Sequence, residues 1–238
     1  MAGNIRFFSA GPLSVLAIVL LIVLVLLLIP LLFLGIIGAA FTRLGLSWIA
    51  ALALVLLMLA GSFVNIPIYR IRRDMVRATP LDPDGNLFAG RFAVPPVWET
   101  VISVNLGGGI IPTGIAAFLV YQAVMVTGTT VLLVVSLCAA IVLVITFIST
   151  HEIAGIGIRV PFIIPALTAL LTGVLLAGGT GLTSAVTALA GGTLGTIAGG
   201  NLAHLCHVRD LEVPDISIGG SGTFGAVFLC CVLPALIA

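Results

Sequence analysis

The sequence predicts an all-α membrane protein, a bundle of about seven transmembrane helices with a small cytoplasmic hairpin loop. Three observations predict it. Hydrophobic residues make up 61% of the 238 residues and charged residues 7%, against roughly 45–50% and about 25% in soluble domains. The apolar residues gather in runs close to the ~20 residues that a bilayer asks of a helix. The arginines fall on alternate connections between those runs. The chain then reads as a single polytopic domain, 1–238, with one sizeable cytoplasmic loop, 69–99.

Composition also limits function. A formal charge of +1 speaks against a nucleic-acid partner, and no cofactor motif is present. The four cysteines, two of them adjacent at Cys230 and Cys231, make no disulfide framework. Cys138 lies deep in an apolar run, so buried thiols are the expectation.

The first span covers roughly 13–40, with Pro30 as an expected kink. This run far exceeds the ~7–15 residues of a signal h-region, so it reads as an uncleaved helix after Arg6. A turn at 42–45 leads to a second span at 46–67. The loop 69–99 carries Arg70, Arg72, Arg73, Arg77 and Arg91, and Asp84-Gly85 between Leu81 and Leu87-Phe88 suggests a small hairpin. A third span, 101–121, opens as VISVNLGGGIIPTG. The fourth is 126–148, followed by a polar elbow, STHEIAG. The fifth, sixth and seventh spans are 160–177, 182–202 and 223–238.

Seven spans can be tested against the positive-inside rule. With the N-terminus cytoplasmic, Arg6, the five loop arginines, Arg159 and Arg209 lie inside, and Arg43 alone lies outside. This split places the protein in the plasma (inner) membrane, N-terminus in and C-terminus out.

The stretch 191–229 breaks the greasy pattern, with nine glycines in 39 residues. Glycine lets helix backbones touch, or lets the chain leave helix where something approaches closely. There is also an internal echo. The third span enters through ISVNLGGG and the seventh through ISIGGSG, each after a small-residue helix end, AGSFVN and AGGN. Parallel repeats of this kind occur in transporters, with sites at broken helices.

The candidate solute- or ion-binding residues follow from that echo: Asn65, Asn105, Gly107, Gly108, Gly109, Asn201, Gly219, Gly220, Ser221 and Thr223. Asparagines inside a membrane either bond between helices or line a site. Unwound glycine segments would add free N–H groups suited to an anion or a polar solute. Arg70, Arg72, Arg73 and Arg77 read as a topology anchor that also attracts anionic lipid headgroups. His204, Cys206, His207 and Asp210 offer donors that zinc accepts, set against plain interfacial polar residues at a helix end. His151, Glu152 and Arg159 of the elbow form either a proton relay or a solvated loop.

GSFVNIPIYR, VISVNLGGGIIPT, AGIGIRVPFIIPAL, GGTLGTIAGGNL and VPDISIGGSGTFGAVFL, in that order, resemble one prokaryotic multi-pass membrane family, domain of unknown function sixteen-fourteen. The resemblance runs from about Phe41 to the end. It implies an aspartate where this chain has Asn201, in a G-A-D-L-like motif, and another where it has Gly225. Paired intramembrane aspartates would look like an aspartyl protease, in which two carboxylates share a proton and activate water, or like a proton-coupled site. This chain lacks both. Pro234-Ala235-Leu236 and Gly220-Ser221-Gly222 are similar to presenilin-like protease motifs, but Thr223 stands where that aspartate belongs. Pro165-Ala166-Leu167 repeats the first motif elsewhere, and Asp215 is the nearest acid.

The expectation is therefore a membrane protein without catalysis of its own. It is either an accessory subunit of a membrane complex or a small-solute or ion carrier; a degenerate aspartyl-protease relative is the alternative. Its partners are the lipid bilayer and other polypeptides or further copies within the membrane.

Overall fold

A computed structural model describes residues 12–72, 99–210 and 213–236. Arg73, Arg77, Arg91 and the Asp84-Gly85 hairpin lie outside the described residues. Within them, seven α-helices and five short strands occur.

Helix α1 (Pro12–Arg43) continues through Pro30, and α2 (Trp48–Gly61) starts at Ser47, whose hydroxyl caps the Ala50 N–H at 3.3 Å. Helix α3 (Ile111–Thr127) begins with Pro112 in its first turn and stops at Gly128, whose φ of 87° no helix continues. Helices α4 (Thr130–Ser149), α5 (Ile163–Ala177), α6 (Leu182–Gly200) and α7 (Phe224–Ala235) complete the bundle. Four helical stretches, Ile18–Arg43, Leu106–Thr127, Thr130–Ser149 and Leu182–Cys206, are long and apolar enough to cross a membrane.

Helix α6 is the axis. Its glycines face three neighbours at backbone distance. A Cβ on Gly195 would lie 2.6 Å from the Ala139 carbonyl oxygen on α4, and one on Gly192 2.6 Å from the Ala169 Cβ on α5. Small residues let helices approach where lipid offers no hydrophobic drive to pack them. Helix α1 is the opposite case. Only its last turns, through Ile37, Ala40 and Phe41, enter the core with Leu44 of the following turn, and its leucine, isoleucine and valine side chains from Ile18 to Leu32 are exposed on every face.

Two expected spans are corrected. Residues 65–67 of the second span and 101–105 of the third are strand. β1 (Asn65–Arg72) pairs antiparallel with β2 (Glu99–Asn105), and β2 pairs parallel with β5 (Asp215–Ile218). Hydropathy cannot separate an apolar strand from the end of an apolar helix. Thr100, Val101, Ile102 and Val104 are β-branched and suit a strand, but the pairing with β1 and β5 makes the distinction. Pro67 is tolerated because β1 is an edge strand, and the ladder slips between Pro67 and Tyr69. The third span then begins at Leu106 and runs to Thr127, so Val126, expected in the fourth, belongs to α3.

The polar elbow is a second hairpin, β3 (His151–Ile153) with β4 (Gly157–Arg159). After α6, a 3₁₀ segment (Leu202–Asp210) leads back to β5. Ile158, Val213 and Ile216, with Ile71 and Leu205, form one apolar cluster that joins both sheets at the same end of the bundle.

Candidate functional site

The internal echo is a physical pair. Parallel pairing sets Ile102 beside Ile216, Ser103 beside Ser217 and Val104 beside Ile218, so the two strand–glycine–helix units lie side by side in register. After β2, Leu106–Ile110 form a π-helical turn that runs into α3; after β5, Gly219–Thr223 turn into α7. The glycines allow the two backbones to touch. A Cβ on Gly108 would collide with the Gly219 carbonyl oxygen, and one on Gly219 with that of Gly108. Gly219 (φ 74°) and Gly222 (φ 87°) also sit in the left-handed region. Gly107 packs on the last turn of α2 and Gly109 beside Val104.

The amides expected to be free are instead capped by asparagine. Asn105 Oδ1 accepts from the Gly108 N–H at 2.8 Å, and its Nδ2 donates to the Ser62 carbonyl at 2.7 Å and to Asn65 Oδ1 at 2.9 Å. Ser217 Oγ donates to the same Asn65 Oδ1 at 2.6 Å. Asn201 Oδ1 accepts from the Gly219 N–H at 3.2 Å, and its Nδ2 donates to Thr223 Oγ1 at 3.0 Å. Asn105, Asn201 and Thr223 are buried. The buried Asn105 and Asn201 therefore hold the junctions, as buried polar groups in a bundle must, and the exposed Asn65 accepts from Asn105 and Ser217 at their edge.

Beside this frame lies a cavity of about 450 Å³, lined by Ser62, Asn65, Arg159, Val160, Phe162 and the turn from Gly220 to Ala226. Helices α2, α5 and α7 all end on it. With 14, 15 and 12 residues they reach roughly 18–23 Å, short of the ~30 Å hydrocarbon core. Non-helical backbone at membrane depth is tolerated only where protein buries it or a watery cavity meets it. Of the expected site residues, Asn65, Gly220, Ser221 and Thr223 line this cavity, whereas Asn105, Asn201 and Gly107–Gly109 stand behind it as support.

Arg159 is exposed, as a solvated elbow requires, and also lines the cavity. Position on β4 explains this: neighbouring strand residues point to opposite faces, so Ile158 enters the apolar cluster while Arg159 turns away from it. Glu152 of the same hairpin meets His204 Nδ1 at 2.6 Å. His204 is buried, stacks on Phe147 at a centroid distance of 4.8 Å and, among the described residues, leaves Nε2 without a hydrogen-bond partner.

Cys206 is exposed, its thiol directed to the Ala203 carbonyl, and the His207 side chain lies outside the described ones. Among the described residues no group of three or more His, Cys, Asp or Glu side chains is placed to hold a metal. Cys138, Cys230 and Cys231 are buried thiols. Arg70 pairs with Glu99 at 3.6 Å, an exposed contact worth little. The Arg72 side chain also lies outside the described ones.

Four helices long and apolar enough to cross a bilayer, a glycine-packed central helix and short helices closing on a polar end define the class, a helical bundle of a kind compatible with a membrane. The chain belongs to the family described as Protein of unknown function (DUF1614), which matches residues 59–237 and so leaves α1 outside the match. No curated protein and no solved structure matches it.

Proposed function

We propose that the chain carries a small anionic or polar solute across the plasma membrane and has no catalysis of its own, with its N-terminus cytoplasmic and its C-terminus outside. One observation carries the reading. Three short helices stop at the same cavity, and an arginine, an asparagine and three hydroxyl-bearing residues, Ser62, Ser221 and Thr223, line it. Neutral polar groups beside one cation suit reversible binding of an anion better than covalent chemistry. Broken helices meeting at such a cavity are a recurring transporter design. The accessory-subunit reading expects a glycine-rich face left open for a partner, and the glycines of α6 face α4, α5 and α7 of the same chain.

The test is uptake of radiolabelled acetate, phosphate and sulfate into proteoliposomes containing the full chain, alongside Arg159→Gln. Uptake of one of these, lost in the variant, is expected. No uptake of any, together with stable co-purifying polypeptides in native mass spectrometry, would replace this reading with the subunit one.

A specific observation also favours the protease-relative reading. Asn201 bonds to Thr223 and Gly225 lines the large cavity, so both positions where the family resemblance implies aspartate meet one turn. A Cβ on Gly225 would meet only the Phe162 Cβ at 3.5 Å, an ordinary contact. The double variant Asn201→Asp with Gly225→Asp, reconstituted with model transmembrane peptides, cleaves them on this reading. Absence of cleavage rejects it.

A further inference from the structure

A second, much smaller cavity lies on the other side of the Gly219–Thr223 turn. It measures about 30 Å³ and is lined by Asn201, Asp215, Ser217, Ser221 and the β4 residues Gly157 and Ile158, among others. About 10–15 Å³ suffices for one water, so this space admits a single water-sized particle or two and no metabolite. We propose that it is a binding site for one monovalent hard cation of the size of sodium.

Charge comes first. Asp215 lines the space, and among the described residues no cationic side chain pairs with it; the ion pairs there are Arg70 with Glu99 and Glu152 with His204. Arg159, one residue beyond Ile158, lines the larger cavity instead. Helix α6 ends at Gly200 with Asn201 as its cap, and the carbonyl end of a helix favours positive charge.

The donor set agrees. Every polar side chain lining the space carries oxygen, the donor that hard cations take. Ser217 spends its hydroxyl proton on Asn65 Oδ1, which leaves its oxygen lone pairs for an ion. Asp215 Oδ1 accepts from Ser103 at 3.1 Å, and that bond orients the carboxylate without neutralising it. A lone carboxylate balances one positive charge, whereas calcium takes 6–8 oxygens and gains affinity with ligand charge. Asp215 is exposed, so an ion enters from solvent. The site stands independently of solute transport, since it shares only Ser221 with the larger cavity.

The experiment compares thermal unfolding of the purified full chain in sodium, potassium and choline chloride at one ionic strength. A ligand that binds only the folded state raises the midpoint with its concentration. Sodium is expected to raise it by several degrees and to saturate, with Asp215→Asn abolishing the response and Arg159→Gln leaving it intact. Equal midpoints in sodium and choline, an undiminished response in Asp215→Asn, or a response to calcium in place of sodium would each overturn the assignment. Should Asp215→Asn fail to fold, Ser221→Ala on the exposed turn is expected to weaken binding of radiolabelled sodium to the protein, and unaltered binding counts against the site.

Discussion

Asn105 and Asn201 each cap a glycine N–H of the paired junctions, yet their hydrogen bonds differ in a way that sets what each position tolerates. Asn105 needs its amide protons, because Nδ2 donates to two acceptors, the Ser62 carbonyl and Asn65 Oδ1. An aspartate there would face both with a carboxylate. Asn201 donates only to a hydroxyl, Thr223 Oγ1, which can reverse and donate instead, while the Gly219 N–H suits a carboxylate equally well. Asn105→Asp is therefore expected to cost at least the ~1–3 kcal/mol of an unsatisfied buried group. Asn201→Asp is expected to unfold within a degree or two of the parent. Thermal unfolding of the two variants, followed by circular dichroism, decides it; equal losses would mean the caps are not what holds the junctions. The same asymmetry gives a physical reason why an aspartate fits at position 201.

At the scale of elements, the strand–glycine–helix junction is the unit that matters. Gly108 and Gly219 face each other's carbonyls, and backbone has no rotamer with which to move aside. Gly108→Ala is expected to cost about 3 kcal/mol or more, the upper end for overpacking, and to lower the yield of folded protein on size-exclusion chromatography. Gly114 on α3 is the control. It is exposed, and a Cβ added there would meet nothing within 4 Å, so Gly114→Ala gains up to about 1 kcal/mol of helix propensity. A Gly108→Ala protein as stable as Gly114→Ala would show that the two junctions do not touch as described.

For the whole molecule, connections alternate between two ends. The sheet, the β3–β4 hairpin and the 3₁₀ segment gather at one end through the Ile158–Val213–Ile216 cluster, and the α1–α2, α3–α4 and α5–α6 turns lie at the other. The native thiols report on this. Cys206 is exposed at the sheet end, while Cys138, Cys230 and Cys231 are buried. In intact cells a membrane-impermeant maleimide is expected to leave the parent unlabelled and to label a Thr129→Cys variant at the α3–α4 turn. Permeabilised cells are expected to label Cys206 as well. Labelling of Cys206 from outside would invert the orientation. Helix α1 makes a further whole-molecule point. Its exposed surface is leucine, valine and isoleucine from Ile18 to Ile29 with no glycine until Gly35, which suits lipid contact rather than close helix packing.

Hydropathy determined the apolar helices and their order, because transfer of apolar side chains into lipid depends on composition over ~20 residues and little on neighbours. The chain's family was legible in five motifs. The glycines and asparagines around positions 105 and 201 were legible as special, and the ISVN and ISIG echo pointed to the paired junctions. Which way those residues act was decided only by tertiary structure. The Asn105 and Asn201 side chains could have lined a cavity or capped a turn, and the partners that choose between these, Ser62, Asn65, Gly219 and Thr223, are distant in sequence from at least one of them. Strand β2 is apolar like the helix it precedes, and only its pairing with β1 and β5 shows it as strand. Arg159 and Asp215 stood out in the sequence only as charges, one in the elbow and one as the nearest acid, with nothing local to show what they face. Their value comes from facing different cavities across one turn, and that separation exists only once strands far apart in the chain have met.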